Sequence, residues 1–152
     1  MSDRFDLEDF LPFRLNRASE RVSLGFAAQY REKYKMTRPE WRTLAALGSN
    51  GRSTATQVGA HSTMHKTKVS RAVHSLEERR WLKRTEDLAD RRVEHLELTP
   101  LGLRYYNELA ELARQYERTL LEQLGRRGLD ALRQGLAAIE KTSVDSEVAD
   151  RI

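Results

Sequence analysis

The chain has 152 residues, of which 33% are charged and 39% hydrophobic, and its formal net charge is +4 at pH 7. This length suits one domain, or one domain with a dimerisation appendage, and is sufficient to bury a hydrophobic core. The absence of cysteine excludes disulfides, thiolate metal sites and thiol redox sensors. No signal-peptide pattern or membrane-length apolar run is visible, so we expect a cytoplasmic protein.

The N-terminal region shows a long helical pattern. Apolar side chains recur at helical spacing from Leu11 to Tyr30, and Pro12 falls in the first turn if Asp9 caps the helix. We expect so long a helix to bury its apolar stripe against a second subunit. A long core helix within a monomer is the alternative.

A capping box, Thr37-Arg38-Pro39-Glu40, predicts the start of a second helix. This helix places Trp41 and Leu44 on its apolar side and is predicted to end at Gly48, before a turn at Asn50-Gly51. Trp41 is expected to lie in the core, with stacking on a ligand as the alternative.

Two shorter helices are predicted next, one over residues 54–60 and one from Lys66 to Arg79. The second has an apolar stripe and cations on its outer face, and two such helices joined by a tight turn are typical of a helix-turn-helix. Residues 61–92 hold nine Lys or Arg against five acids, an excess of four that equals the net charge of the chain. This local excess favours a phosphate-binding surface over a merely solvated face.

The segment after the helix-turn-helix predicts a β-hairpin, which would form a wing. Residues 81–85 and 93–98 read as strands, and residues 86–92 form a charged tip between them. Thr99 and Pro100 are a helix cap and a first-turn proline, and they predict a long helix that follows. Gly125 and Gly128 are predicted to break this pattern before a last helix from Leu129 to Ile139.

Four groups of residues in and after the second short helix form a specific combination. They are Val69-Ser70-Arg71, Leu76-Glu77-Glu78 with Trp81-Leu82, Asp90-Arg91-Arg92, and Leu96-Glu97-Leu98-Thr99-Pro100-Leu101-Gly102. With the order of the elements, these motifs resemble the MarR family of winged-helix bacterial transcription regulators. The resemblance implies a mostly α-helical fold with a small β-hairpin wing. In that fold a winged helix-turn-helix, residues 36–99, is flanked by dimerisation helices in residues 1–35 and 100–152.

Three positions depart from the family pattern. Thr63 and His65 stand where the family often has a glycine and a capping Asp or Ser. Arg80 replaces the common glycine after the recognition helix. These departures concern the geometry of two turns and one helix cap. Family members that sense peroxides use cysteine, so the absence of cysteine excludes that mode.

The resemblance implies a sequence-specific regulator that binds double-stranded DNA as a homodimer, a repressor of a pseudo-palindromic operator that a small aromatic or acidic ligand releases. A constitutive or non-sequence-specific DNA-binding protein without an effector is the alternative. Cations and hydroxyls of the second short helix and the wing can contact phosphates or base edges. The candidate contacts are Lys66, Thr67, Lys68, Ser70 and Arg71 in the helix, and Arg84, Asp90, Arg91 and Arg92 in the wing.

Arg92 is the side chain expected to enter a minor groove, where A·T segments concentrate negative potential. Asp90 is expected to hold its guanidinium in place, and a surface ion pair of little consequence is the alternative. Phe13, Arg17 and Trp41 are candidates for the effector site because they offer aromatic walls and a cation. Ordinary core and surface positions are the alternative for these three residues.

Metal and catalytic sites are not expected. The four histidines, at positions 61, 65, 74 and 95, are spread over different predicted elements, so no metal site and no cofactor are predicted. The sequence also lacks a Gly-rich phosphate loop, a nucleophile elbow and a metal triad. An enzyme is therefore the least favoured class of function.

Overall fold

The computed structural model describes residues 4–142, which form two compact units, one ending at Ala113 and one beginning at Arg114. None of the helices within these residues is long and apolar enough to cross a membrane. The fold is mostly α-helical with one small sheet, as predicted. The elements are α1 Leu11–Tyr34, α2 Arg38–Asn50, β1 Ser53–Thr54, α3 Ala55–Ser62, α4 Lys66–Glu78, β2 Leu82–Glu86, β3 Glu94–Leu98 and α5 Pro100–Glu140.

Helix α1 begins at Leu11, and the prediction that Asp9 caps it is wrong. Phe10 occupies the capping position and makes no side-chain cap bond, while Pro12 lies within the first turn. Proline tolerates this position because the first helical N–H groups have no partner within the helix. The C-terminal half of α1 buries Tyr30 and Tyr34, and the helix therefore joins the core of its unit only through that half.

Helix α2 begins at the predicted capping box, with both reciprocal bonds between Thr37 and Glu40 present. The prediction that it ends at Gly48 is wrong, because the helix continues to Asn50 and Gly51 follows with φ +75°. Gly48 has a packing role instead. A Cβ at Gly48 would lie 2.4 Å from Cδ2 of Tyr106, so only a residue without a side chain allows this aromatic ring to approach α2.

The sheet has three antiparallel strands in the order β1-β3-β2, rather than the predicted two. Leu82 pairs with Leu98 in the hairpin, and Ser53 pairs with Leu96 on the other side of β3. Strand β1 is only two residues long, too short to show an alternating pattern in the sequence. It attaches the start of α3 to the wing.

The core of the winged helix lies between α2, α3, α4 and the sheet. The stripe predicted on α4 is confirmed, since Val69, Ala72, Val73 and Leu76 are each at most 3% exposed. In α5 the predicted break at Gly125 is confirmed by its φ of 66° and ψ of 171°. The predicted break at Gly128 is wrong, because the chain is already helical again there.

Candidate nucleic-acid interface

Helix α4 presents one apolar and one cationic face. Opposite its buried stripe, the side chains of Lys66, Lys68 and Arg71 are exposed, and none of them forms an ion pair within residues 4–142. Thr67 and Ser70 are exposed on the same helix. The structure thus brings the five helix residues predicted to contact DNA together on one surface.

The turn before α4 depends on two of the residues that depart from the family pattern. Thr63 adopts the left-handed conformation with φ 53°, a region that glycine enters at no steric cost. His65 caps α4, because its Nδ1 accepts a hydrogen bond from the backbone N–H of Thr67 at 3.3 Å. An imidazole nitrogen therefore replaces the usual hydroxyl or carboxylate cap. Arg80, after α4, is also left-handed, with φ 61°.

The tip of the wing is organised by Asp87. Its Oδ1 accepts hydrogen bonds from the backbone N–H groups of Ala89 and Asp90 at 2.8 and 3.0 Å, and its Oδ2 lies 2.8 Å from Nε2 of His95. The hydrogen bond with His95, followed by the two backbone bonds, lowers the pKa of Asp87 to about 2. A charged Asp87 thus holds the tip in shape.

This arrangement makes wing stability sensitive to acid. The pKa of Asp87 is about 2 in the folded protein, below its ordinary value of 3.8, so its stabilisation is present above pH 4 and lost as the pH falls towards 2. Asp87→Asn removes the charge but keeps an oxygen for the two backbone bonds. We expect its urea midpoint to lie below that of the wild type at pH 5 and to converge with it by pH 2. A constant difference over this range would contradict the role of the charge.

Arg92 extends from the wing and is hydrogen-bonded to the carboxylate of Asp90. Its Nε and Nη2 donate to Oδ1 and Oδ2 of Asp90 at 3.1 and 3.3 Å, and its backbone N–H donates to Oδ1 at 3.0 Å. The side-chain bond from Arg92 is the main cause that lowers the pKa of Asp90. The Arg92 side chain is still 91% exposed. The predicted Asp90–Arg92 geometry is therefore present, with the guanidinium accessible beside exposed Arg91.

Arg84 is held differently from the other predicted contacts. Its Nε donates to Oε2 of Glu77 in α4 at 2.9 Å, and its Nη1 donates to Oε2 of Glu94 in β3 at 3.2 Å. Its side chain is 34% exposed. Arg84 connects α4 to the wing. This role could not be read from the sequence, because its two partners lie seven and ten residues away on different elements.

The three residues predicted for an effector site fall into two groups. The Arg17 guanidinium lies 5.2 Å from the ring centroid of Phe13, and Arg17 also pairs with Glu8. Trp41 instead packs against Phe26, with ring centroids 5.3 Å apart, and against Tyr30. The contacts place Phe13 beside Arg17 and show Trp41 in a separate aromatic cluster.

A cavity of about 480 Å³ that the sequence did not indicate lies between α3, α4 and the sheet. Its lining is mainly apolar, with Val69, Val73 and Leu96 among the contributors, and it includes Lys66 and Arg84. Residues from four elements form it, and only the tertiary structure brings them together.

Three of the four histidines have separate polar partners rather than a shared site. His95 contacts Asp87, His65 caps α4, and His74 lies 3.4 Å from Glu78 one turn along the same helix. Among residues 4–142 no group of three or more His, Asp or Glu side chains is arranged to hold a metal ion.

Comparison with known proteins agrees with this geometry. Residues 34–93 match the model of the MarR family, and this region contains the whole helix-turn-helix and the wing tip. This part of the chain, residues 34–93, is thus similar to the MarR family. MarR family regulators are DNA-binding transcription factors and not enzymes.

Several relatives resemble this chain beyond the matched region. The HTH-type transcriptional repressor IacR of Pseudomonas putida is 25% identical over 114 residues, which are 75% of this chain and 68% of IacR. A MarR family transcriptional regulator from Silicibacter pomeroyi is 27% identical, with a TM-score of 0.74 over 90% of this chain and 99% of that one. BpsR of Bordetella bronchiseptica, at 22% identity, shares the fold with a TM-score of 0.78 over 92% of this chain and 99% of its own.

Proposed function

We propose that this protein is a homodimeric, sequence-specific repressor that binds a pseudo-palindromic operator and is released by a small aromatic or acidic ligand. The observation that carries the proposal is the exposed face of α4. Lys66, Lys68 and Arg71 form no ion pairs within residues 4–142, while the opposite face of the helix is buried. An exposed basic helix packed on a stable support is suited to a major groove.

Homodimerisation is supported by apolar side chains that the single chain leaves exposed. They lie in the regions proposed as dimerisation segments, residues 1–35 and 100–152, on either side of the DNA-binding residues 36–99. Exposed apolar groups at helical spacing favour burial against a partner. They are Leu11, Leu24, Leu101, Leu103, Leu124, Leu132, Leu136 and Ile139, and each is between 37% and 57% exposed.

The proposed DNA complex uses the helix and the wing separately. Two copies of α4 enter major grooves about one helical turn, roughly 34 Å, apart. Lys66, Thr67, Lys68, Ser70 and Arg71 contact bases and phosphates there. The wing places Arg92 in the adjacent minor groove, with Asp90 orienting it and Arg91 near the backbone. Arg84 contributes by connecting the wing to α4.

Repression is proposed from one relative, and release by a ligand from another. IacR is a transcriptional repressor, and DNA binding by BpsR is regulated by 6-hydroxynicotinic acid, an aromatic acid. Arg17 beside Phe13 offers a cation next to an aromatic ring, whereas Trp41 offers an aromatic wall in a separate cluster. A ligand acts only by binding one dimer geometry better than another, so it must differ in affinity between them.

Operator selection from random DNA tests the proposal. The selected duplex and a scrambled duplex of the same composition are titrated by fluorescence anisotropy at one salt concentration. We expect the selected duplex to bind at least about 10³-fold more tightly. Equal affinities would favour a non-sequence-specific DNA-binding protein.

The effector is tested on the same protein by thermal shift with a panel of aromatic acids that includes 6-hydroxynicotinic acid. A ligand at 100 times its dissociation constant stabilises the folded state by about 2.7 kcal/mol. We expect at least one acid to raise the melting temperature and to weaken operator binding. A panel without any effect would favour a constitutive DNA-binding protein.

A further inference from the structure

The ends of three helices meet at two charged side chains, Glu40 and Arg79. Glu40 is the third residue of α2, and Arg79 follows the last residue of α4. Glu40 is only 7% exposed, and its Oε2 lies 3.5 Å from Nη2 of Arg79. A carboxylate is costly to bury unless its oxygens are paired. The other residues that Glu40 and Arg79 bond therefore show which helices this pair connects.

The Glu40 carboxylate bonds the start of α2 to α4. Its Oε2 accepts a hydrogen bond from the backbone N–H of Thr37 at 3.1 Å, which closes the capping box. Its Oε1 accepts a hydrogen bond from Oγ of Ser75, in the last turns of α4, at 2.6 Å. An ordinary capping glutamate satisfies only its own helix. Here the same side chain also holds a residue 35 positions away.

The Arg79 guanidinium bonds α4 to the end of α1. Its Nη1 donates to the carbonyl oxygen of Tyr34 at 2.7 Å, and its Nη2 donates to that of Lys35 at 2.8 Å. The last carbonyls of a helix lack partners within the helix and carry its negative dipole end, which favours a cation there. The guanidinium also lies 5.1 Å from the ring centroid of Trp81, just before the wing.

We propose that Glu40 and Arg79 are positioning residues for DNA reading, which hold α4 at a fixed angle to α1. The inference rests on the proposed function, in which α1 belongs to the dimerisation region and α4 reads the operator. The 13 residues of α4 span roughly 20 Å. A rotation of about 5° at the Arg79 end would move the first residues of α4 by nearly 2 Å, enough to break a hydrogen bond to a base.

The angle between the helices is measured without DNA. Because the chain has no cysteine, Gln29→Cys in α1 and His74→Cys in α4 can carry one spin label each, and both positions are exposed. Labelled chains diluted into unlabelled protein report the distance within one chain. We expect Arg79→Met and Glu40→Gln to broaden this distance distribution. Leu47→Ala, a buried control in α2, is expected to leave it unchanged. An unchanged distribution in both variants overturns the inference.

The consequence for reading is measured on the selected operator and on a duplex with one base pair inserted between its half-sites. All variants are compared under conditions where circular dichroism shows them folded. We expect the ratio of the two dissociation constants to fall about tenfold in Arg79→Met, comparable to losing one base contact, and to persist in Leu47→Ala. The slope of log affinity against log salt should stay unchanged, because Arg79 is not proposed to touch DNA.

The other outcomes separate this inference from the proposed function. A salt slope reduced by about one would make Arg79 a direct phosphate contact and overturn its positioning role. An unchanged ratio in both Arg79→Met and Glu40→Gln would overturn it as well. A wild-type protein that does not distinguish the two duplexes contradicts the proposed dimeric operator. In that case, the spin-label distance distribution alone decides whether Glu40 and Arg79 hold α4 at a fixed angle to α1.

Discussion

Gly102→Ala is expected to destabilise the protein by about 3 kcal/mol, because the added methyl group has no space. A Cβ at Gly102 would lie 1.9 Å from the carbonyl oxygen of Trp81 and 2.7 Å from its carbonyl carbon. That oxygen cannot turn away freely, since it accepts a hydrogen bond from the backbone N–H of Thr99 at 3.0 Å. The first turn of α5 would have to separate from Trp81, the residue just before β2.

The measurement is urea unfolding followed by circular dichroism, with Gly135→Ala as the matched control. Gly135 lies in the part of α5 that follows the break at Gly125, and a Cβ there would meet nothing within 4 Å. Alanine is the better helix former, so the control is expected to be neutral or stabilising by up to about 1 kcal/mol. If both variants lost less than about 1 kcal/mol, the close approach of α5 to Trp81 would not be a requirement of the fold.

Arg92→Ala is expected to weaken DNA binding about tenfold, for both selected and scrambled duplexes. The Arg92 side chain is 91% exposed on the wing and belongs to no base-reading helix, so its loss should act mainly through groove potential and phosphates. The slope of log affinity against log salt should fall by about one. Anisotropy titrations between 50 and about 200 mM salt measure both quantities. An unchanged affinity would remove Arg92 from the interface.

Two companion variants show whether position or only charge matters. Arg133→Ala makes the same change of charge outside the winged helix, and we expect it to leave affinity nearly unchanged. Asp90→Asn removes the fork that holds the guanidinium but makes the protein more positive by one charge. If charge alone decided binding, Asp90→Asn would bind DNA more tightly. We expect it to bind more weakly, because Arg92 loses its orientation.

The helices were predictable because each is defined by local patterns. The capping box at Thr37 and Glu40 and the apolar stripe of α4 both appear in the structure. The positions where helices end were less predictable, because a glycine in the sequence can either end a helix or lie inside one. Gly48 serves the approach of Tyr106 and lies inside a helix, whereas Gly125 does interrupt one. The difference depends on what packs against each position.

The candidate interface was predictable in its position but not in its internal connections. The exposed cations of α4 lie close together in the sequence, and so do Asp90 and Arg92. Their spacing alone was therefore enough to predict them as contacts. Arg84 has the same charge and lies nearby, yet Glu77 and Glu94 bind it between the helix and the wing. The cavity beside α4 also remained unseen, because four elements line it.

The order of the helices, the wing and the basic face of α4 follow from short-range periodicity and local motifs, so they can be predicted before the fold is known. The role of Glu40 outside its own helix cap emerges only when the chain has folded. Its hydrogen bond to Ser75 and its ion pair with Arg79 join residues far apart in the chain. Such pairs leave no periodic trace in a sequence, because their geometry exists only after the helices have packed.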